Sequence, residues 1–183
     1  MSNVEVRGWL NVASTGGKTM DHQERQKRAH ELVAALDLPR PLTPERLHAH
    51  MESLRKKQIV IREGSETMLH AGVCGLWIEV AGEAFERIHH APTISAVHRQ
   101  QLINHEYGHM ILSDDKELLS ADQVARFAPL IPYDAIVHAL LRSSLTDELE
   151  ALAEAIGDRL ALTMLSDRAE ARDGARTGFG RVL

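Results

Sequence analysis

Hydrophobic positions recur along this chain with two periods, and the changes between them divide it into segments. Over residues 21–36, Ala29, Leu32, Val33 and Leu36 fall at helical spacing, and Pro39-Arg40-Pro41 ends the run. Thr43-Pro44-Glu45 offers an N-cap, a proline at the first helical position and an early acid. A second helix is therefore expected through Leu47, Met51 and Leu54, stopping near Lys57. Three strand-like runs follow, at residues 58–62, 74–80 and 85–89, separated by Gly64 and by Ala81-Gly82-Glu83; the last two suit a hairpin. Helical spacing returns from Ser95 to about Leu112, then a polar turn at residues 113–116, then helical patterns over 121–127, 133–141 and 146–165. Residues 1–19 lack periodicity and read as a flexible lead-in, with Met20 as an alternative start; residues 20–165 read as one domain. Residues 166–183 carry glycines and scattered charge with almost no apolar spacing, and read as a disordered tail.

Composition narrows the classes. At 183 residues and 44% hydrophobic, the chain has material for one real core. A formal net charge of -5 leaves no basic surplus to neutralise phosphates, which argues against a general nucleic-acid binder. The basic clusters Arg25-Lys27-Arg28 and Arg55-Lys56-Lys57 lie on helical patterns and read as solvated faces. Cys74 is the single cysteine, so no intramolecular disulfide forms, which suits a reducing cytoplasm; its apolar run suggests a buried strand thiol. No secretory signal precedes the first helix, and no apolar span reaches membrane length.

The chemistry concentrates at His105-Glu106-Tyr107-Gly108-His109. Two imidazoles four residues apart on a helix share a face, about 6 Å apart along the axis, and can hold one ion. Zinc suits that pair, since a catalytic site takes three protein ligands and keeps one open position. Glu106, offset about 100° from His105 by the helical period, can reach the attacking water without being a ligand, which is the place of a general base. With 11 histidines in the chain the pattern also arises by accident, so context must carry it. On a helical wheel His98 and His109 share the side of His105, while Ala96, Ile103, Tyr107, Met110 and Ile111 form an apolar back. Gly108 costs about 1 kcal/mol relative to alanine in a helix, and close approach of another backbone beside the metal would explain it.

A third ligand must come from elsewhere. His98 lies seven residues from His105, about 10 Å along the axis, too far to share the ion. The acidic helix at residues 147–154 is the better source: Leu149, Ala153, Ile156 and Leu160 form its core stripe, with Glu148 and Glu150 flanking it on opposite sides. The wheel does not choose between those two acids. Tyr133, His138, Tyr107 and His98 have the chemistry to stabilise an oxyanion, but Tyr107 falls on the apolar back, His138 in an apolar helical pattern, and none is assigned. Of His89 and His90, neighbours on a strand, one is expected to face the cleft and the other solvent.

The segment from Ser95 to Leu112, with His-Arg-Gln-Gln-Leu-Ile-Asn-His-Glu-Tyr-Gly-His at its centre, resembles the signature helix of the ImmA/IrrE metallopeptidases. The order of elements is similar too, including a strand with Gly75-Leu76-Trp77-Ile78 ahead of the motif and an acidic helix after it. Superposed on the family's Glu-x-x-Ala-Asp/Asn-x-Phe-Ala pattern, Glu150-Ala151-Leu152-Ala153-Glu154-Ala155-Ile156-Gly157 implies Glu150 as the third zinc ligand. Glu154 stands where the family has Asp or Asn, and Ile156 where it has an aromatic residue.

The resemblance implies an α+β, zincin-like fold: a small three-stranded sheet packed with N-terminal helices, an active-site helix and a C-terminal ligand helix. It further implies a cytoplasmic zinc endopeptidase with Glu106 as base and His105, His109 and Glu150 on Zn2+, cleaving a helix-turn-helix transcription regulator encoded nearby. An extended substrate is expected to add to the sheet edge near residues 74–80. The alternative class is a non-proteolytic regulator or toxin-antitoxin component that uses the same scaffold for binding; intact Glu106 favours the enzyme, and the departures at Glu154 and Ile156 favour the binder.

Overall fold

Asp21 caps the first helix, its carboxylate accepting from the Glu24 N–H at 2.9 Å, and α1 runs His22–Ala34. The computed structural model describes residues 20–64, 74–80, 84–112, 136–141 and 147–178. The expected lead-in, the turn at 113–116, the helical pattern at 121–127 and Tyr133 lie outside the described residues. Thr43 caps α2 (Pro44–Arg55) with Pro44 in its first turn, and Lys56 ends it in the left-handed region at φ 56°. The strands β1 (Gln58–Glu63), β2 (Gly75–Val80) and β3 (Phe85–His90) follow, then α3 (Ala96–Leu112), β4 (Ile136–Leu141) and the long α4 (Asp147–Gly178).

The fold is α+β, and the sheet has four strands in the order β1-β3-β2-β4. β1 runs parallel to β3, and β2 runs antiparallel to both β3 and β4. β4 corrects the sequence reading, in which His138 sat on a helix: Ile136-Val137-His138-Ala139-Leu140-Leu141 pairs with Leu76–Val80 instead. A short apolar run does not distinguish a buried strand from a buried helix by periodicity, and the vacant edge of β2 decided it. The same pairing removes the expected docking edge. With β3 on one side and β4 on the other, the main chain of β2 is already committed to the sheet, so no substrate strand can add there.

α4 corrects a second expectation. Helix continues through residues 168–178, where a disordered tail was expected. The missing apolar spacing marks a stretch of helix whose residues 168–173 are all exposed. Extending an established helix through good formers such as Ala169, Glu170, Ala171 and Arg172 needs no new nucleation. No described helix is long and apolar enough to cross a membrane.

The core gathers Ala29 and Val33 from α1, Leu47 and Met51 from α2, Trp77 and Ile88 from the sheet, and Ile103, Tyr107 and Met110 from α3. Ala153, Ile156 and Leu160 join it from α4, while Leu149 is only half-buried. Arg55, expected on a solvated face, is instead largely buried: it binds Glu86 through Nε and Nη2 at 2.9–3.2 Å and lies 4.7 Å from the Trp77 ring. The Trp77 indole also donates to Glu86 at 2.7 Å, so this fully buried carboxylate is neutralised and bonded. Tyr107 packs in the core as expected, its hydroxyl 2.7 Å from His48 Nδ1.

Candidate metal centre

Ser95 opens α3, its hydroxyl accepting from the His98 N–H and its carbonyl from the Arg99 N–H. The helix has an exposed first turn, including Ala96, and is then buried on nearly every side from Leu102 to Met110. Its imidazole face is therefore not an open front but is covered by α4, the element with which it shares its largest contact. Gly108 makes this possible. A Cβ there would stand 2.5 Å from the Ala153 carbonyl oxygen and 3.0 Å from Ala153 Cα. The absent side chain admits the backbone of α4, as the cost of a mid-helix glycine suggests. Gly157 does the same from the other helix, where a Cβ would lie 3.1 Å from the His105 nitrogen.

One turn before Ala153 along α4, this crossing sets Glu150 against both histidines. Glu150 Oε1 lies 3.3 Å from His105 Nε2, Glu150 Oε2 lies 3.5 Å from His109 Nε2, and the two Nε2 atoms are 3.0 Å apart. Ligands about 2.0–2.1 Å from a tetrahedral ion are separated by about 3.3–3.4 Å, close to these contacts, which Glu150 makes through a different oxygen to each histidine. His105, His109 and Glu150 could thus hold a metal ion, and both histidines are buried. Glu148 turns elsewhere, its Oε1 accepting from the Met20 N–H at 2.8 Å.

Glu154 is the residue whose role the sequence did not reveal. Its Oε2 lies 2.9 Å from His105 Nδ1, and because a carboxylate only accepts, the proton sits on Nδ1. That leaves Nε2, which faces Glu150 and His109, as the nitrogen a metal would take on displacing its proton. The signal was present: Glu150 and Glu154 repeat the i, i+4 spacing of the two histidines. The Glu154 side chain is long enough to reach the ring from α4, and Ile156, two residues on, is fully buried. His109 Nδ1, by contrast, is buried with no hydrogen-bond partner among the described residues.

Without metal the centre attracts a proton. Burial pushes the His105 pKa down, but hydrogen bonds to Glu150 and Glu154 and the charge of Glu106 outweigh it and raise it to about 9. Glu106 is buried at the start of β2: a Cβ on Gly75 would fall 1.9 Å from its Oε1. Gly75 therefore leaves the space that the carboxylate fills, a role invisible without the third dimension. His90, paired with Gly75, is buried with Nδ1 3.0 Å from the Ala91 carbonyl, while His89 on the opposite face has its pKa lowered by burial and by Arg87 and Arg62.

A cleft of about 260 Å³ opens beside His105, lined by Cys74, His98, Gln101, Leu102 and Glu154. Cys74 is half-buried at the cleft rather than sealed in a strand. His98 is exposed, with Thr93 Oγ1 3.3 Å from its Nδ1, and takes no part in the His105, His109 and Glu150 cluster. Gln101 Nε2 donates to Asp158 Oδ1 at 3.1 Å; burial and the charge of Glu154 raise the Asp158 pKa, with the Gln101 hydrogen bond opposing. Comparison with family models, with curated proteins and with solved structures finds no match to this chain.

Proposed function

We propose that this chain is a zinc-dependent endopeptidase of the ImmA/IrrE kind, acting on a cytoplasmic helix-turn-helix regulator. The observation that carries the reading is the convergence of His105, His109 and Glu150 donors at 3.0–3.5 Å beside a fourth buried group, Glu106, which is not one of the cluster. Two imidazoles and a carboxylate are the donor set of a catalytic zinc, and a purely structural site would have no use for the extra carboxylate. A zinc ion in such a site supplies Lewis acidity, which makes a water nucleophile available at neutral pH and polarises the scissile carbonyl.

The chain's own residues supply the rest. Glu106, seated against Gly75, accepts the proton of the attacking water and delivers it to the leaving amine. Glu154 holds the His105 ring in the ligating tautomer. Glu106 and Glu154 stand on α3 and α4, two helices that cross closely, and a preorganised site is built on such elements.

Co-expression with the regulator encoded nearby tests the reading. The parent chain should yield a discrete partner fragment, and Glu106→Gln, which keeps the ligands and removes the base, should leave the partner intact. A partner that binds both forms equally and is never cut, in any metal, would replace the peptidase with a binding module.

A further inference from the structure

The two most exposed large apolar side chains among the described residues are neighbours. Ile94 stands wholly clear of the protein and Val97 is 78% exposed, against 46–62% for Leu54, Leu162 and Leu165. A bonded turn holds them there: Thr93 Oγ1 accepts from the Ser95 N–H at 3.2 Å and lies 3.3 Å from His98 Nδ1, and Ser95 Oγ accepts from the His98 N–H at 3.2 Å. Both side chains are thus presented to solvent in fixed positions, and such a pair of neighbouring apolar groups marks a contact surface better than scattered single ones do. From there α3 leads to the metal donors. Val97 and Gln101 are one turn apart on the helix, and Gln101 lines the cleft beside His105 together with His98 and Leu102. Polar groups of that lining are already engaged: Glu154 with His105, Gln101 with Asp158 and His98 with Thr93. The cleft therefore makes no demand for a charged ligand, and the uncovered surface along this face is the apolar pair at its outer end.

We infer that Ile94 and Val97 form the subsite for an apolar side chain of a polypeptide substrate, three or four residues from its scissile bond. The inference rests on the peptidase reading, and names its specificity. Continuity with the metal centre and length together select this occupant. Val97 precedes His105 by eight residues, about 12 Å along the helix axis, and an extended chain covers that in three to four residues at about 3.3 Å each. A substrate also needs support that the sheet does not offer at β2, which has a neighbour on either side and accepts no added strand. A leucine or methionine side chain packed across two stiff β-branched residues gains it through burial, whereas a charged one would lose solvation against a surface with no polar partner.

The test uses binding, so that it does not depend on turnover. The zinc-loaded full chain is titrated calorimetrically with five-residue alanine peptides bearing a hydroxamate at the carboxyl end, or at the amino end through a succinyl group, with leucine placed at each position in turn. In one of the two series, leucine three or four residues from the hydroxamate should bind about tenfold more tightly than the all-alanine peptide, the scale of one largely buried apolar side chain. Ile94→Asp and Val97→Asp should bring that ratio close to one, and Val97→Leu should keep it. Both Asp variants should fold, since the two sites are exposed and an acid suits the start of a helix. No position preference, or one that survives both Asp variants, overturns the subsite. So does a lower Tm in both variants, which would mean that the chain itself covers the pair, or a parent dimer that they dissociate, which would give the pair to a second copy. Failure of every peptide to bind overturns it together with the metal centre. The expected preference without cleavage of any member of a random peptide library leaves the subsite standing and removes the peptidase reading alone.

Discussion

Four acids on or beside one helix crossing have four different tasks, and geometry alone assigns them. Glu150 faces both imidazoles, Glu154 holds one of them from behind, Glu148 secures the Met20 amide, and Glu106 fills the space left by Gly75. Removing each should therefore have a distinct result. Glu150→Ala should cause the largest loss of zinc affinity, Glu154→Ala an intermediate loss of about 10–100-fold through the misoriented His105 ring, and Glu148→Ala none. Competition against a chromophoric chelator gives the order; equal affinity of Glu150→Ala and the parent would reject the ligand assignment. The same carboxylates set a pH dependence. In metal-free protein the raised His105 pKa contributes stability that is full below its unfolded value of about 6.5 and is lost as pH rises through about 9. Urea unfolding of the metal-free chain should show this decline between those limits, and His105→Ala should flatten it. Metal must displace that proton, so zinc affinity should fall as pH is lowered below about 9.

At the scale of elements, the site depends on how closely α3 and α4 approach. Gly108→Ala improves helix propensity by about 1 kcal/mol, yet its Cβ would have to displace the Ala153 carbonyl from 2.5 Å, and backbone cannot rotate aside as a side chain can. Overpacking of this kind costs about 1–3 kcal/mol, so the net effect is destabilising. The separation also withdraws Glu150, so zinc affinity falls with stability. Gly157→Ala, with its nearest contact at 3.1 Å, should show both effects more weakly. Chemical denaturation paired with metal competition measures the two together. A Gly108→Ala variant more stable than the parent with unchanged affinity would mean that the crossing does not set the ligand geometry.

For the whole molecule, the three donors come from α3 and from α4, whose first turns are far apart in sequence, so an ion bound there ties the two halves of the chain together. One zinc per chain is expected. Free metal at 100 times its Kd should stabilise the folded state by about 2.7 kcal/mol, a rise in Tm of about 5–10 °C for a chain of this size. His105→Ala and His109→Ala should lose the rise altogether. Calorimetric scans with and without metal, supported by elemental analysis, decide this; a parent chain with no stoichiometric metal and no shift would remove the centre.

Sequence by itself determined what depends on neighbours along the chain. The cap at Thr43, the helical period of α3, the strand pattern of β3, and the one-turn spacing of His105 and His109 are local properties, legible from residue type and interval. Gly108 was legible as a close approach because a mid-helix glycine needs a reason. What approached it was not, since nothing local joins residue 108 to residue 153. Tertiary structure alone decided the strand at Ile136–Leu141, whose apolar run suited either period until β2 offered it an edge. It alone buried Arg55 against Glu86, drew Glu150 rather than Glu148 to the imidazoles, and placed Gly75 against Glu106. Each of these is a contact between elements distant in sequence, and its free energy depends on distance and burial, quantities that exist only once the chain has folded.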